Sequence, residues 1–410
     1  MKGLVCAYRA LSDLYLQGSW IGEAIKKQGA PLLQDKGSYR LVYGVVEHEY
    51  LYEYRIARLT DKTPKAAVKI LLKMGMYLLD DSSMPAYAAV NEIAETAKKV
   101  GKGGVTGFLN AVLRRYAAEG KNLFPSAPEE RLSVDANLPL WLVKRYEMEL
   151  GAEEAKRRLT TPRTSKTHLR PARSFGKAAL AAVLKERGVA FTETEHGFYV
   201  GAVGTLSDLI EQGKATVMSY GSIEIAEALP YAGGKILDLC AAPGGKSVYL
   251  AEKFGAEVIA CDLYEHRVAL IRSYAKRMKV ATVKAQCSDG TILREEWKNA
   301  FGSLLLDAPC SGLGSLASNP DVALNRTEEG LNEITEAQER FLAVAGEYVA
   351  EGGALLYATC SDLSSENGEI VRSFLKQNQA FSLEKEVYTD PQAGGGESYY
   401  YALLWKKKSC

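Results

Sequence analysis

Two cysteines carry the residue types best suited to covalent chemistry: Cys310 in LLLDAPCSGLGS and Cys360 in LLYATCSDLSSENG. Each follows an apolar, strand-like run and sits in a turn of small polar residues. Two thiols placed this way at the ends of two consecutive strands suit substitution at a pyrimidine ring carbon. Carbon 5 of cytosine is a poor nucleophile. A thiolate added at carbon 6 makes the ring enamine-like, and carbon 5 can then take a methyl group from a sulfonium. This is covalent catalysis, in which one hard step is divided into easier ones. A free thiol of pKa about 8.5 is little ionised at neutral pH, so a helix N-terminus or a basic neighbour has to favour the thiolate. Asp307, three residues before Cys310, is placed to stabilise the adduct at the ring nitrogen. A base must finally remove the carbon 5 proton, which gives the second cysteine a task. The residues alone do not say which cysteine attacks.

A methyl donor needs a binding turn, and ILDLCAAPGGKS (236–247) offers one. Its end imitates a P-loop, and SLLLD, ending at Asp307, imitates the acidic strand that holds magnesium. A P-loop, however, requires glycine where Cys240 stands. Nor is a Gly-x-Gly-x-x-Gly dinucleotide fingerprint present. What remains is a tight strand-to-helix turn, Cys240, Ala241, Ala242, Pro243, Gly244, Gly245 and Lys246. There the backbone can approach a ligand and a helix N-terminus can meet a carboxylate. The next strand ends at Asp262, at the spacing from which an acid grips ribose hydroxyls, with Arg267 shortly after it; the third ends near Asp289. A ribose, an adenine and an amino-acid carboxylate without a phosphate chain describe S-adenosyl-L-methionine. Asp262 is expected on the ribose, Asp289 on the adenine side, and Asp307 and Lys246 near the reaction centre.

These residues need a scaffold. From about 235, the runs KILDLC, EVIACD, ATVKAQC, SLLLDAP and GALLYATC alternate with helical stretches. The clearest helix is LNEITEAQERFLAVAGEYV, with Leu331, Ile334, Phe341, Leu342, Ala345 and Tyr348 on its inner face. Alternating strand and helix predicts a doubly wound α/β sheet, whose ligands lie outside the carboxyl ends of the strands. Residues 1 to about 122 read as helices. Val90, Ile93, Ala94, Ala97 and Val100 share one face, as do Phe108, Leu109, Val112, Leu113 and Tyr116. Residues 121–130, with Pro125 and Pro128, read as a linker. Two short helices meeting near Gly151 follow, then a small mixed segment with a helix near 177–187 and strands around 190 and 200.

The 47% apolar and 25% charged composition is that of an ordinary globular chain and excludes disordered and fibrous classes. Seven cysteines without a Cys-x-x-Cys pair exclude a zinc ribbon and a disulfide scaffold, and the four histidines show no metal-ligand spacing. The opening apolar run is too short for a signal peptide, so a cytoplasmic location without a membrane partner is expected. A net charge of +1 argues against indiscriminate nucleic-acid binding. Yet 156–185 carries nine Lys/Arg and no acid, and 267–284 six more, a distribution that points to a polyanion.

Together, CAAPGGK, DAPCSG and YATCS resemble the RNA 5-methylcytosine methyltransferases of the RsmB/Sun group. YAAVNEIAETAKKV and GFLNAVLRR resemble the NusB-like RNA-binding domain at the N-terminus of that group. LPLWLVKRY resembles the start of its middle region and SYYYALLWK its closing strand. The resemblance implies a Rossmann-like S-adenosylmethionine methyltransferase domain over 216–410, preceded by an all-α domain over 1–124 and a small α+β subdomain over 125–215. It assigns Cys360 as nucleophile and Cys310 as the residue that assists release. It implies S-adenosyl-L-methionine as cofactor, no metal, and a cytosine of bacterial 16S ribosomal RNA as target, in free RNA or an assembly intermediate. The basic stretch 156–185 and the helical domain would carry the RNA backbone contacts. Met218-Ser219 stands where the group has Gln-Asp, Pro171-Ala172 lacks the usual asparagine, and the segment around Pro320 and Asp321 lacks the usual tryptophan. Two other classes fit parts of the pattern: a P-loop NTPase, and an RNA-binding assembly module with an inert enzyme domain.

Overall fold

The computed structural model describes residues 2–162, 166–201, 203–389 and 396–408. Arg163 of the basic run lies outside them. The chain divides into two compact units, Met1–Thr160 with Asn319–Arg326, and Thr161–Ser318 with Thr327–Cys410.

The first unit is helical. Its centre is the helix Ala66–Asp81, buried along nearly its whole middle from Val68 to Leu79. Lys73 on that helix is also buried, its ammonium held by Glu49 at 2.5 Å and Glu53 at 2.8 Å, the pairing a buried charge requires. The helices Ala86–Lys99 and Thr106–Ala118 bury Val90, Ile93, Ala94, Ala97, Leu109, Val112, Leu113 and Tyr116, as their spacing predicts. Phe108 of the predicted face is exposed instead. The linker is shorter than expected, because Pro128 opens a new helix, Pro128–Ala136, where a proline costs no hydrogen bond. Asn137 then ties that helix back: its side chain donates to the Val46 carbonyl at 2.8 Å and accepts from the Tyr50 N–H at 3.2 Å. The boundary expected at 124 therefore falls within the first unit. The segment Asn319–Arg326 contributes Asp321, whose buried carboxylate accepts from the Ile21 N–H at 2.8 Å and so caps the helix Ile21–Gln28.

The second unit holds two sheets. The small one comprises β1 (Thr167–Pro171), β2 (Phe191–Glu193), β3 (Phe198–Val200) and β4 (Ala215–Val217), in the antiparallel order β2-β3-β1-β4. Leu180 and Leu184 of the helix Lys177–Glu186 pack on it. The large sheet comprises β5 (Ile236–Asp238), β6 (Val258–Asp262), β7 (Val283–Cys287), β8 (Phe301–Asp307), β9 (Val349–Thr359), β10 (Phe381–Tyr388) and β11 (Tyr400–Lys406). Its order is β10-β11-β9-β8-β5-β6-β7. β5 to β9 run parallel, and β11 lies antiparallel between β9 and β10. Leu304, Leu305 and Leu306 and their neighbours Leu355, Leu356 and Tyr357 are fully buried, the continuous apolar pattern of a sheet covered on both faces. The order of the strands reverses between β5 and β8, which opens a crevice at their carboxyl ends.

Candidate active site

β5 ends at Asp238, and the helix Gly245–Phe254 begins seven residues later. Gly244 makes that turn with φ 108°, a left-handed conformation, and a Cβ there would lie 3.1 Å from the Cα of Ile271. Glycine is therefore required by both backbone and space. At Gly245 the nearest atoms to a Cβ would be those of Tyr274 and Met218, at 3.7 and 3.8 Å, so this position has room for one.

That room is a cleft. Of the predicted residues, Cys240, Ala241, Ala242, Pro243, Gly245, Lys246 and Asp307 line it. Gly244 is not among its lining residues. Asp262 is buried beside the turn, accepting from the Ala242 N–H at 3.3 Å and facing Arg267 at 3.4 Å. Asp289 closes its own turn after β7, accepting from the N–H and hydroxyl of Thr291 at 2.9 and 2.6 Å. The cleft also draws on residues to which the sequence reading gave no role: Val217, Met218, Ser219, Ser222, Asp238 and Tyr274. Asp238 lay within the motif already quoted, at the end of a strand, which was the signal available for it. Met218 and Ser219 are positions where the chain departs from the group's pattern. Ser219 caps the helix Tyr220–Ala228 by accepting from the Ser222 N–H at 3.2 Å.

On the other side of the crevice, Lys246 Nζ meets Asp307 Oδ2 at 2.7 Å. Burial works against the Lys246 charge, but the Asp307 carboxylate outweighs it, and the pKa of the ammonium is raised. β8 and β9 pair with Asp307 opposite Ala358, so the segments beyond them run side by side. This register brings Cys310 and Cys360 together, with their sulfurs 3.0 Å apart and not joined in a disulfide. The Cys360 N–H also points at Cys310 Sγ, at 3.3 Å. Gly314 donates its N–H to the Cys360 carbonyl at 2.9 Å; a Cβ at Gly314 would fall 2.1 Å from the Ser398 carbonyl oxygen, so only glycine permits this approach.

The thiols differ in environment. Cys360 is exposed and Cys310 is half-buried. The hydrogen bond to the Cys360 sulfur, followed by burial and the nearby Glu366 carboxylate, pushes the Cys310 thiol well above its ordinary range. Cys240 is likewise held as a thiol, by burial and then by Asp238, Asp262 and Asp307. Beneath the cysteines lie Gln338, Glu366 and Asn367, all fully buried and all without a role in the sequence reading. Gln338 interrupts the inner face predicted for the helix Glu328–Tyr348, whereas Ile334 and Phe341 on that face are only half-buried.

The basic run is not a free stripe. Arg170 is buried with its guanidinium 2.5 Å from Glu252, and Arg173 donates to the carbonyls of Glu252 and Lys253 at 2.8 and 2.7 Å. Arg157 and Arg158 pair with Glu154, just upstream of the run. Acids distant in sequence or just outside the counted window neutralise cations that look unopposed along the chain.

A doubly wound sheet with this strand order, a glycine turn at its switch point and two thiols across the crevice defines a methyltransferase domain joined to a helical one. A family model described as 16S rRNA methyltransferase RsmB/F matches residues 228–407, and one for the NusB family matches residues 4–118. The chain belongs to this RsmB/F methyltransferase family. It is 30% identical over 404 residues to the probable ribosomal RNA small subunit methyltransferase B of Bacillus subtilis, covering 92% of this chain and 88% of the relative. It is also 30% identical over 407 residues to the ribosomal RNA small subunit methyltransferase B of Erwinia tasmaniensis, covering 94% and 92%. Among solved structures, PH0851 shares the fold with a TM-score of 0.83 at 23% identity, over 99% of this chain and 98% of that one. NSun6 from Pyrococcus horikoshii, solved with SFG, aligns with a TM-score of 0.59 at 20% identity, over 66% and 99%.

Proposed function

We propose that this chain methylates carbon 5 of a cytosine in small-subunit ribosomal RNA in the cytoplasm, with S-adenosyl-L-methionine as methyl donor and Cys360 as nucleophile. The cleft fits that donor. Asp238 Oδ1 is buried without a hydrogen-bond partner in the wall of the cleft, and its carboxyl is pushed up to about 7, first by burial. A ligand ammonium supplies the partner this oxygen lacks. Gly245 leaves the space a Cβ would fill, and the first turn of its helix suits a ligand carboxylate. Asp262 is assigned to the ribose and Asp289 to the adenine side. When bound, S-adenosyl-L-methionine supplies an electrophilic methyl group.

The chain's own residues do the rest. The target base leaves its stack at a cost of a few kcal/mol. Cys360, the exposed member of the pair, gives its thiol proton to solvent and adds as the thiolate to carbon 6, which moves the electrons of the carbon 5–carbon 6 double bond towards carbon 5 and the ring nitrogen. Asp307, oriented by Lys246, supplies a proton or hydrogen bond at the ring nitrogen and so stabilises the adduct. Cys310, reacting as the thiolate after giving its own proton to solvent, then accepts the carbon 5 proton; the electrons of that C–H bond re-form the ring double bond, and the Cys360 sulfur departs as thiolate. The contact of the two sulfurs at 3.0 Å beside the Lys246–Asp307 pair carries this reading.

Its test uses the full chain, labelled S-adenosyl-L-methionine, and 16S RNA either free or in small subunits, with bisulfite mapping of the product. Cys310→Ala is expected to accumulate a covalent RNA adduct on denaturing gels, and Cys360→Ala to form none. The opposite pattern exchanges the two roles, and methylation at any atom other than carbon 5 overturns the reading.

A further inference from the structure

Cys310 and Cys360 are fifty residues apart in sequence, and the strand register that brings their turns side by side does not by itself fix the sulfurs in contact. Directly beneath them is one carboxylate. Glu366 is fully buried, and its side chain takes hydrogen bonds from both turns. The Ser311 N–H donates to Oε2 at 2.7 Å, and the hydroxyls of Ser311 and Ser361 both donate to Oε1 at 2.5 Å. These serines directly follow the two cysteines. Gln338 adds a fourth donor, to Oε2 at 3.3 Å, while holding the carbonyl of Pro309, the residue before Cys310, at 2.9 Å. A carboxylate offers about four acceptor positions, and here four donors meet it. Asn367 completes the hold on the second turn: it accepts from the Thr359 hydroxyl at 2.5 Å and donates to the Ser361 carbonyl at 2.9 Å. Each cysteine is thus bracketed on both sides by partners from the segment Glu366–Asn367 or from Gln338. The Tyr357 hydroxyl fixes the Glu366 carbonyl from within the sheet, at 2.6 Å.

We propose that Glu366 is the positioning residue of the thiol pair: by accepting from the residues that follow both cysteines, it ties the two turns together and sets the distance between the sulfurs. Its relevance to turnover rests on the two-thiol mechanism above; its control of the sulfur spacing does not. Glu366 touches no reacting atom and acts through Ser311 and Ser361. The arrangement leaves Cys360 accessible while keeping Cys310 close enough to act on the same ring.

Two readouts separate these claims. The first is the rate at which diamide, an azo oxidant that takes two electrons and two protons from a thiol pair, joins Cys310 to Cys360, followed by peptide mass spectrometry. This rate depends on how closely the sulfurs approach. Glu366→Ala is expected to slow it at least ~10-fold, with Ser361→Ala slowing it less. Glu366→Gln is expected to recover most of the rate, because the serine hydroxyls can turn to accept from the amide. The second readout is methyl transfer: Glu366→Ala is expected to lower kcat at least ~10-fold while KM for S-adenosyl-L-methionine changes less than about twofold, the signature of an interaction that matters after binding. Oxidation of Glu366→Ala at the wild-type rate overturns the positioning role, and slowed oxidation with unchanged kcat overturns its relevance to turnover. If Glu366→Ala does not fold, Ser361→Ala decides alone, and a wild-type oxidation rate in that variant overturns the proposal. A wild-type chain that forms the disulfide quickly, is slowed by Glu366→Ala, and methylates no RNA overturns the functional reading while the positioning role stands.

Discussion

The turn after β5 and the turns after β8 and β9 face one crevice and are held by different means. The first is shaped largely within its own residues: Gly244 adopts the φ that other residues avoid, its N–H returns to the Ala241 carbonyl at 2.7 Å, and a helix begins at Gly245, while the end of β6 accepts from the Ala241 and Ala242 N–H groups. The other two are tied to each other by a buried carboxylate, an amide pair and a glycine; Glu366 lies 5 positions from Ser361 but 55 from Ser311, and Gly314 packs against Ser398. A ligand-binding turn can be a local object, because backbone conformation and helix-terminus dipoles act over a few residues. A pair of reacting thiols cannot be, because their separation is a tertiary quantity. The small sheet repeats the second pattern. His168 on β1 donates through Nδ1–H to the Met218 carbonyl at 3.1 Å, which leaves Nε2 to accept from Thr194 Oγ1 at 2.8 Å.

The largest effect should come from the remotely held pair. Cys360→Ala is expected to lower methyl transfer by ~10⁴-fold or more, as loss of a covalent nucleophile does, with S-adenosyl-L-methionine binding by calorimetry unchanged. Retained turnover would remove the functional distinction between the two kinds of turn. The next effect concerns His168. Burial pushes its pKa down to about 4 from 6.5, against the opposing pull of the Met218 carbonyl. Between those values the unfolded chain binds the proton and the folded chain does not, so stability is fully present above about pH 6.5 and falls as the pH drops towards 4. The loss is of order 3 kcal/mol, read as the extra acid sensitivity of the wild type over His168→Gln in denaturant titrations. Equal acid sensitivity in the two would place His168 outside the remotely held group.

The smallest effects should sharpen the local side. Gly244→Ala forces a strained φ and a 3.1 Å contact with Ile271, and is expected to cost about 1–3 kcal/mol in thermal unfolding. Gly245→Ala meets only ordinary contacts. It is expected to leave the melting temperature within about 1 °C while weakening S-adenosyl-L-methionine in an equilibrium titration, because its methyl enters the cleft. A destabilised Gly245→Ala would show that the second glycine is structural as well.

What could be read along the chain follows this division. The five strands from KILDLC to GALLYATC, the helices around Val90 and Leu109, and the turn from Cys240 to Lys246 all lie where periodicity and turn chemistry put them. Asp262 and Asp289 stand at or just beyond strand ends as read, but hydrogen bonds already engage both side chains, from Ala242 of the cleft turn and from Thr291. Gln338 was hidden because a polar residue on an otherwise apolar helix face looks like a break in the pattern. Glu366 and Asn367 were hidden because the turn SSENG looks like solvent-exposed loop chemistry, whereas both side chains are fully buried. The nine cations of 156–185 were visible, but Glu252, the partner that neutralises Arg170, lies 82 residues from it.

The sequence by itself determined the parts whose causes are short-ranged: an alternating strand and helix order, a glycine-dependent turn at the end of β5, and cysteines at the ends of β8 and β9. Only the tertiary structure decided that those cysteines touch, that one carboxylate braces them, and which charges remain available at the surface. The reason is that φ preferences and hydrophobic periods are properties of a few adjacent residues, whereas sulfur spacing and charge pairing depend on the register of parallel strands joined through long connections.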